Sequence, residues 1–171
     1  MSIESLKSIS MEIMKLLSDY HNPPDREMAI DPVLYALLRS RHEKKRVTRQ
    51  HPAHLPQAKR PPRIDYRIGG TNPLMVELVV RPRAGGVQLY GSQNKTELRK
   101  LCRIPNTQCK LRALLLLDFH AKPHAKADLK ASYDPMHAGR GKFTRHPVRV
   151  IYVHRDTQYT FTWSPFRPVA A

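Results

Sequence analysis

The chain has 171 residues and contains 30 Lys and Arg against 14 Asp and Glu, a formal net charge of +16 with neutral histidines. This length suits one domain with a single sizeable core, and a content of 40% hydrophobic residues excludes a disordered basic tail. No apolar stretch approaches the roughly 20 residues of a membrane-spanning helix, and two cysteines without C-x-x-C spacing indicate neither a disulfide framework nor a zinc ribbon.

The first half of the chain predicts two helices followed by three strands. Apolar residues at steps of three and four predict a helix over residues 3–20, which ends before the Asn-Pro-Pro at 22–24. A second helix is predicted to begin at Asp31, a good N-cap, with Pro32 in its first turn, and to end near His42. Three strands are predicted after it, over residues 46–50, 63–68 and 74–81.

The second half predicts one more helix and three more strands. The helix, over residues 92–103, has Lys95, Arg99 and Arg103 spaced four apart on its outer side. Residues 119–147 are predicted as a long basic loop. The remaining strands are predicted over residues 111–119, 148–154 and 158–163. This order of elements predicts a single α/β domain over residues 1–171, with a mixed β-sheet flanked by helices.

Two acids in the first predicted hairpin stand out because acidic residues are scarce. If the turn is symmetric, the antiparallel strands place Asp65 opposite Glu77, and like charges in directly opposed positions are destabilising. A divalent cation would offset the repulsion, since Mg²⁺ prefers hard oxygen ligands and keeps waters for chemistry on phosphate. The alternative is a cross-strand charge ladder on a solvated sheet face, in which Arg63, Arg67 and Arg81 neutralise both acids.

The sequence around these acids resembles a known nuclease superfamily. P-R-I-D-Y-R, a short turn and then P-L-M-V-E-L-V-V-R are similar to the metal-binding core of the PD-(D/E)XK superfamily, which has the restriction-endonuclease-like fold. The resemblance covers roughly residues 2–119. It implies that Asp65 and Glu77 bind Mg²⁺ or Mn²⁺, and that Glu12 on the first helix is a candidate for a further ligand.

The sequence departs from the superfamily at one position of the motif. Val79 stands where the superfamily has a Lys that orients or activates the attacking water. Some members have this Lys on the following helix, so the resemblance implies Lys95 or Lys100 in that role, with Arg81 as a further candidate. Without such a substitute, the chain would resemble the inactive members that keep the fold for binding.

The resemblance and the charge lead to two main hypotheses. The first is a Mg²⁺-dependent endonuclease, a hydrolase acting on DNA, that works as the cutting subunit of a larger complex. The alternative is a catalytically inactive nucleic-acid-binding or assembly subunit of a nucleoprotein or mobile-element machine. Charge alone also leaves open an acidic protein partner.

The expected partners and location follow from the same observations. DNA is favoured over RNA, a homodimer is an additional expectation because two-fold dimers are common in the superfamily, and no membrane partner is expected. The absence of a signal sequence and the cysteine content predict a reducing compartment, either cytoplasmic or nucleoid-associated. Phosphate contacts are expected from Arg63, Arg67, Arg81, Arg99, Arg103, Arg140 and Lys142.

Overall fold

The computed structural model describes residues 1–18, 26–42, 46–55, 58, 60–84, 89, 91–137 and 144–165. In these residues the helices are α1 (Ile3–Ser18), α2 (Glu27–Arg41), α3 (Ser92–Cys102) and α4 (Lys126–Tyr133). The strands are β1 (Val47–Pro52), β2 (Arg63–Ile68), β3 (Leu74–Arg81), β4 (Leu111–Asp118), β5 (Val148–His154) and β6 (Gln158–Trp163). A search of the described helices found none with the length and apolarity that crossing a membrane requires.

All six strands form one mixed sheet in the order β1-β2-β3-β4-β5-β6. The pairs β1–β2, β2–β3 and β5–β6 are antiparallel, whereas β3–β4 and β4–β5 are parallel. Parallel neighbours need a crossover, which α3 provides between β3 and β4 and α4 provides between β4 and β5. The predicted α/β class, a mixed sheet flanked by helices, is confirmed.

The sheet is covered on both faces, and each face has its own core. The core between the sheet and helices α1 and α2 includes Leu6, Ile13, Leu34, Val76 and Leu78. The core beneath α3 and α4 includes Met75, Val79, Leu98, Leu101 and Tyr133. Burial on both faces explains why β3 and β4 are nearly continuous apolar runs in the sequence.

Helix α2 begins earlier than predicted. It starts at Glu27, so Pro32 lies inside the helix and Asp31 is not the N-cap. The Asp31 side chain instead accepts hydrogen bonds from the Tyr66 hydroxyl and from Arg49. The local capping signal placed Asp31 at the start of the helix. In the structure Asp31 instead makes tertiary contacts with the sheet, which override the local signal.

The long basic loop predicted over residues 119–147 contains a helix, so that prediction is wrong in part. Helix α4 has only two buried residues, Leu129 and Tyr133, which is too few to produce a periodic apolar pattern. The Tyr133 hydroxyl donates a hydrogen bond to the Leu89 carbonyl. The backbone carbonyl of Tyr133 accepts a hydrogen bond of 2.8 Å from the Trp163 indole. These contacts fix the short helix onto the sheet.

Candidate active site

The β2–β3 hairpin has the register that a symmetric turn predicts, but the ladder ends before the acids. Its antiparallel pairs are Tyr66–Val76, Arg67–Met75 and Ile68–Leu74. Beyond them, Asp65 Oδ2 accepts a hydrogen bond of 2.8 Å from the Leu78 amide. Asp65 is thus tied to the backbone of β3 one residue past Glu77.

Glu77 is buried on the face of the sheet that α3 covers. Only 2% of the residue is exposed, and its Oε1 lies 2.6 Å from the Lys100 Nζ. The same ammonium group contacts Glu97 one turn earlier on α3 and donates a 3.0 Å hydrogen bond to the Arg63 carbonyl. Lys100 is therefore fixed between β2, β3 and its own helix.

The surroundings of Glu77 favour its protonated form. Burial first, and then the negative charge of Asp65, raises the pKa of Glu77 to about 10, although Lys100 opposes the shift. Burial alone would lower the pKa of Lys100, but Glu77 and Glu97 outweigh it and hold that pKa above its ordinary value. The ammonium stays charged, and Glu77 retains a strong tendency to bind a cation or a proton.

Two residues that the sequence did not single out complete the surroundings of Asp65. The Gln50 amide donates to Asp65 Oδ1 at 3.0 Å. Glu27, in the first turn of α2, has a raised pKa because of partial burial and then the charges of Asp65 and Glu97. An open cleft of about 200 Å³ is lined by Glu27, Met28, Asp31, Gln50, Asp65 and Leu78.

Glu27 and Gln50 were missed for different reasons. The capping signal at Asp31 placed Glu27 outside the predicted helix, so nothing directed it towards the sheet. A correct start for α2 would have put it on the first turn facing the hairpin. Gln50 has no signal in the sequence, since its relation to Asp65 depends on the pairing of β1 with β2.

The donors at this site suit a hard divalent cation. Asp65 and Glu77 offer adjacent carboxylates, and Mg²⁺ commonly binds through one or two carboxylates while keeping several waters. Across the part of the chain that the structure describes, no three His, Cys, Asp or Glu side chains converge closely enough to hold an ion by themselves. A metal at this site would therefore rely on the two acids and on water or substrate oxygens.

The remaining candidates for the metal and lysine roles lie elsewhere. Glu12 pairs with Arg41 at 2.6 Å and is not brought to Asp65. Lys95 precedes Lys100 by five residues, which places it about 140° around α3 from the lysine that reaches Glu77. Val79, at the motif position of the Lys, packs in the core under α3.

Arg81 forms an ion pair with the buried Asp118. Its Nη1 lies 3.1 Å from Asp118 Oδ2 and also donates to the Lys122 carbonyl at 3.3 Å. Glu77 is paired with Lys100 on a covered face, so the solvated charge ladder considered from the sequence is wrong. The structure gives Arg81 a structural partner rather than an open phosphate-facing position.

The other cations predicted to contact phosphate are spread over several elements. Arg67 donates to the carbonyls of Gly69 and Gly70 in its own turn, at 3.0 and 3.1 Å. Arg99 donates to the His137 carbonyl at 3.1 Å. Arg63 is exposed and Arg103 is partly exposed, while Arg140 and Lys142 lie outside the described residues.

Beyond the last ladder pair of β2 and β3, the structure brings together two carboxylates and a charged lysine, and Asp65 also lines an open cleft. Such a group can hold a cation, orient a water and stabilise negative charge on an oxyanion. No family model matches the sequence, and no curated protein and no solved structure matches it either. The chemistry of these side chains is therefore the basis for a functional assignment.

Proposed function

We propose that the chain is a metal-dependent endonuclease of the PD-(D/E)XK type that hydrolyses phosphodiester bonds of DNA. Asp65 and Glu77 would be the metal ligands, and Lys100 would replace the motif lysine whose place Val79 occupies. The observation that supports this proposal best is the 2.6 Å contact between Lys100 Nζ and Glu77 Oε1. It joins a lysine on the helix after the hairpin to the second acid of the motif.

The order of elements adds support that is independent of the motif. Helices precede an antiparallel unit of β1, β2 and β3, and α3 then leads to the parallel strand β4. This order is similar to the common core of the superfamily, the restriction-endonuclease-like fold. The acids lie on β2 and β3 of that unit, where the resemblance requires them.

The residues of the site divide the chemical work in a definite way. Bound Mg²⁺ or Mn²⁺ would polarise the phosphate and lower the pKa of a coordinated water. Asp65 is oriented by hydrogen bonds to both of its oxygens. Lys100 stays positively charged and can stabilise the negative charge that develops on the phosphate. Glu27, with its raised pKa at the cleft, suits a group that accepts a proton from water.

The net charge of +16 supports a nucleic-acid substrate, since phosphates supply most of the attraction in such complexes. DNA is the substrate favoured by the resemblance, and RNA is the competing substrate to be tested. Work within a larger protein complex, or as a homodimer, belongs to the same proposal.

A second candidate function is a nucleic-acid-binding or assembly subunit without catalytic activity. One observation favours it: Val79 stands at the motif lysine position. It shares the basic charge and the binding surface with the first candidate. The two differ only in whether the phosphodiester bond is cut.

The deciding experiment measures cleavage of labelled double-stranded, single-stranded and branched DNA, and of RNA, with Mg²⁺ or Mn²⁺ against EDTA. The nuclease proposal requires metal-dependent cutting that is lost in Asp65→Ala and Lys100→Met. The matched control Lys95→Met removes a lysine from the same helix and should keep the activity. Salt-sensitive binding without cutting on every substrate would instead favour the second candidate.

A further inference from the structure

Gln50 has a backbone conformation that its residue type disfavours. Its φ is +49°, and among the described residues it is the one non-glycine residue with a positive φ. In this left-handed region the Cβ atom crowds the following carbonyl oxygen, and Asn, Asp and His tolerate it better than Gln does. Such conformations persist where surrounding contacts hold them, and they cluster at functional sites.

The pairing of β1 with β2 does not itself require this conformation. Arg49 pairs with Tyr66 and His51 pairs with Ile64, so the register is the same on both sides of Gln50, and no residue is inserted although the ladder skips the Gln50–Asp65 pair. Gln50 is also exposed, so core packing does not impose the conformation. The contact that does distinguish Gln50 is the 3.0 Å hydrogen bond from its Nε2 to Asp65 Oδ1.

This hydrogen bond completes the orientation of the Asp65 carboxylate. The Leu78 amide donates to Oδ2 at 2.8 Å, and the Gln50 side-chain amide donates to Oδ1 at 3.0 Å. A carboxylate fixed at both oxygens cannot rotate about its terminal bond, and each oxygen keeps a lone pair for another ligand. Gln50 and Asp65 both line the cleft, beside Glu27.

We propose that Gln50 is a positioning residue that orients Asp65 for a divalent cation, and that its left-handed backbone is kept for this purpose. The inference rests on the proposed role of Asp65 as a metal ligand. Groups that orient a metal-binding side chain commonly contribute 10- to 100-fold to metal affinity. A loss of about this size is expected when the amide is removed.

Two substitutions distinguish the effect of the Gln50 side-chain amide from the effect of its left-handed backbone conformation. Gln50→Gly removes the amide and relieves the left-handed conformation, whereas Gln50→Met removes the amide but keeps a Cβ atom and a similar length. Both should weaken Mn²⁺ binding to the full chain by about 10- to 100-fold, measured by titration calorimetry and by the EPR signal of free Mn²⁺. The urea midpoint of Gln50→Gly should stay level or rise, because strain is relieved.

If Gln50 had only a structural role, Gln50→Gly would not weaken Mn²⁺ binding while keeping or raising the urea midpoint. Thr48→Gly, at another exposed position of β1, is the control, and it should lower the urea midpoint and leave Mn²⁺ affinity unchanged. Wild-type Mn²⁺ affinity in both Gln50 variants would overturn the inference. So would a Gln50→Gly variant that loses stability and affinity together.

One further variant separates this inference from the function on which it rests. Asp65→Ala should abolish the Mn²⁺ binding that Gln50→Gly weakens. If Asp65→Ala binds Mn²⁺ like the wild type, then the proposed metal site itself is wrong. If Asp65→Ala fails to bind while both Gln50 variants bind normally, the metal site stands and only the positioning role of Gln50 is wrong.

Discussion

Replacing Glu77 with Gln should make the protein more stable, although it removes a proposed metal ligand. Burial and the neighbouring Asp65 raise the pKa of Glu77 from 4.5 to about 10. Between these two values the folded state binds more protons than the unfolded state, so stability falls as the pH rises. Glu77→Gln removes the titrating group and should remove this loss.

The expected gain in stability follows from the difference between the pKa of Glu77 in the unfolded chain and the pH of the measurement. From the ordinary value of 4.5 to pH 7, about 2.5 pH units at about 1.4 kcal/mol each set an upper limit of about 3.5 kcal/mol. The variant also changes the group that Lys100 contacts, but Lys100 retains Glu97 and the Arg63 carbonyl. A net gain of about 1–3 kcal/mol is therefore expected at pH 7, several degrees in Tm.

Urea unfolding of the metal-free protein between pH 5 and pH 9 measures this effect directly. The wild type should lose stability across the range, and Glu77→Gln should show a flatter profile that diverges from the wild type as the pH rises. Glu12→Gln makes the same chemical change at an acid whose side chain is 39% exposed, and it should follow the wild-type profile. A Glu77→Gln variant that is less stable at pH 7, with an unchanged pH profile, would refute the reasoning. Glu77 would then be an ionised structural partner of Lys100.

Three other predictions concern the buried pair and the binding surface. Asp118→Ala leaves Arg81 buried without its partner and should cost about 3–5 kcal/mol in urea unfolding, whereas Asp134→Ala, at an exposed ion pair, should cost less than about 1 kcal/mol. Tyr152→Phe removes the 2.7 Å hydrogen bond to Asp118 and should cost about 2 kcal/mol, so an unchanged midpoint would contradict the geometry. The logarithm of the DNA-binding constant, measured by fluorescence anisotropy, should fall linearly with the logarithm of the salt concentration. Asp65→Ala should bind DNA equally well or slightly better. A salt-independent binding constant would count against phosphate contacts.

The sequence predicts the strands better than the helices in this fold. Strands β2, β3, β5 and β6 have their predicted bounds, because turn residues delimit apolar or β-branched runs. Helix α2 was misplaced because the Asp-Pro signal at residues 31–32 is local, while its true start depends on contacts with the sheet. Helix α4 was missed because Leu129 and Tyr133 alone give no periodicity.

The candidate site was predictable only where it lies within one hairpin. The spacing of Asp65 and Glu77 across a short turn brings them together by strand geometry alone. The choice between Lys95 and Lys100 depends on which side of α3 packs on the sheet, and Leu98 and Leu101 in the second core determine that side. Contacts between separate elements, such as that of Gln50 with Asp65, depend on tertiary structure and leave no trace in local patterns.

The position of Lys100 on a helix has a consequence for control of the site. A lysine two residues after the acid would share its strand, and the chain itself would fix the distance between them. Here that distance depends on how α3 docks against the sheet. Helices at interfaces commonly shift by about 1–2 Å when a partner binds, and such a shift would separate the ammonium from Glu77. A molecule that binds along the outer side of α3, near Arg99, would therefore change the distance between Lys100 and Glu77.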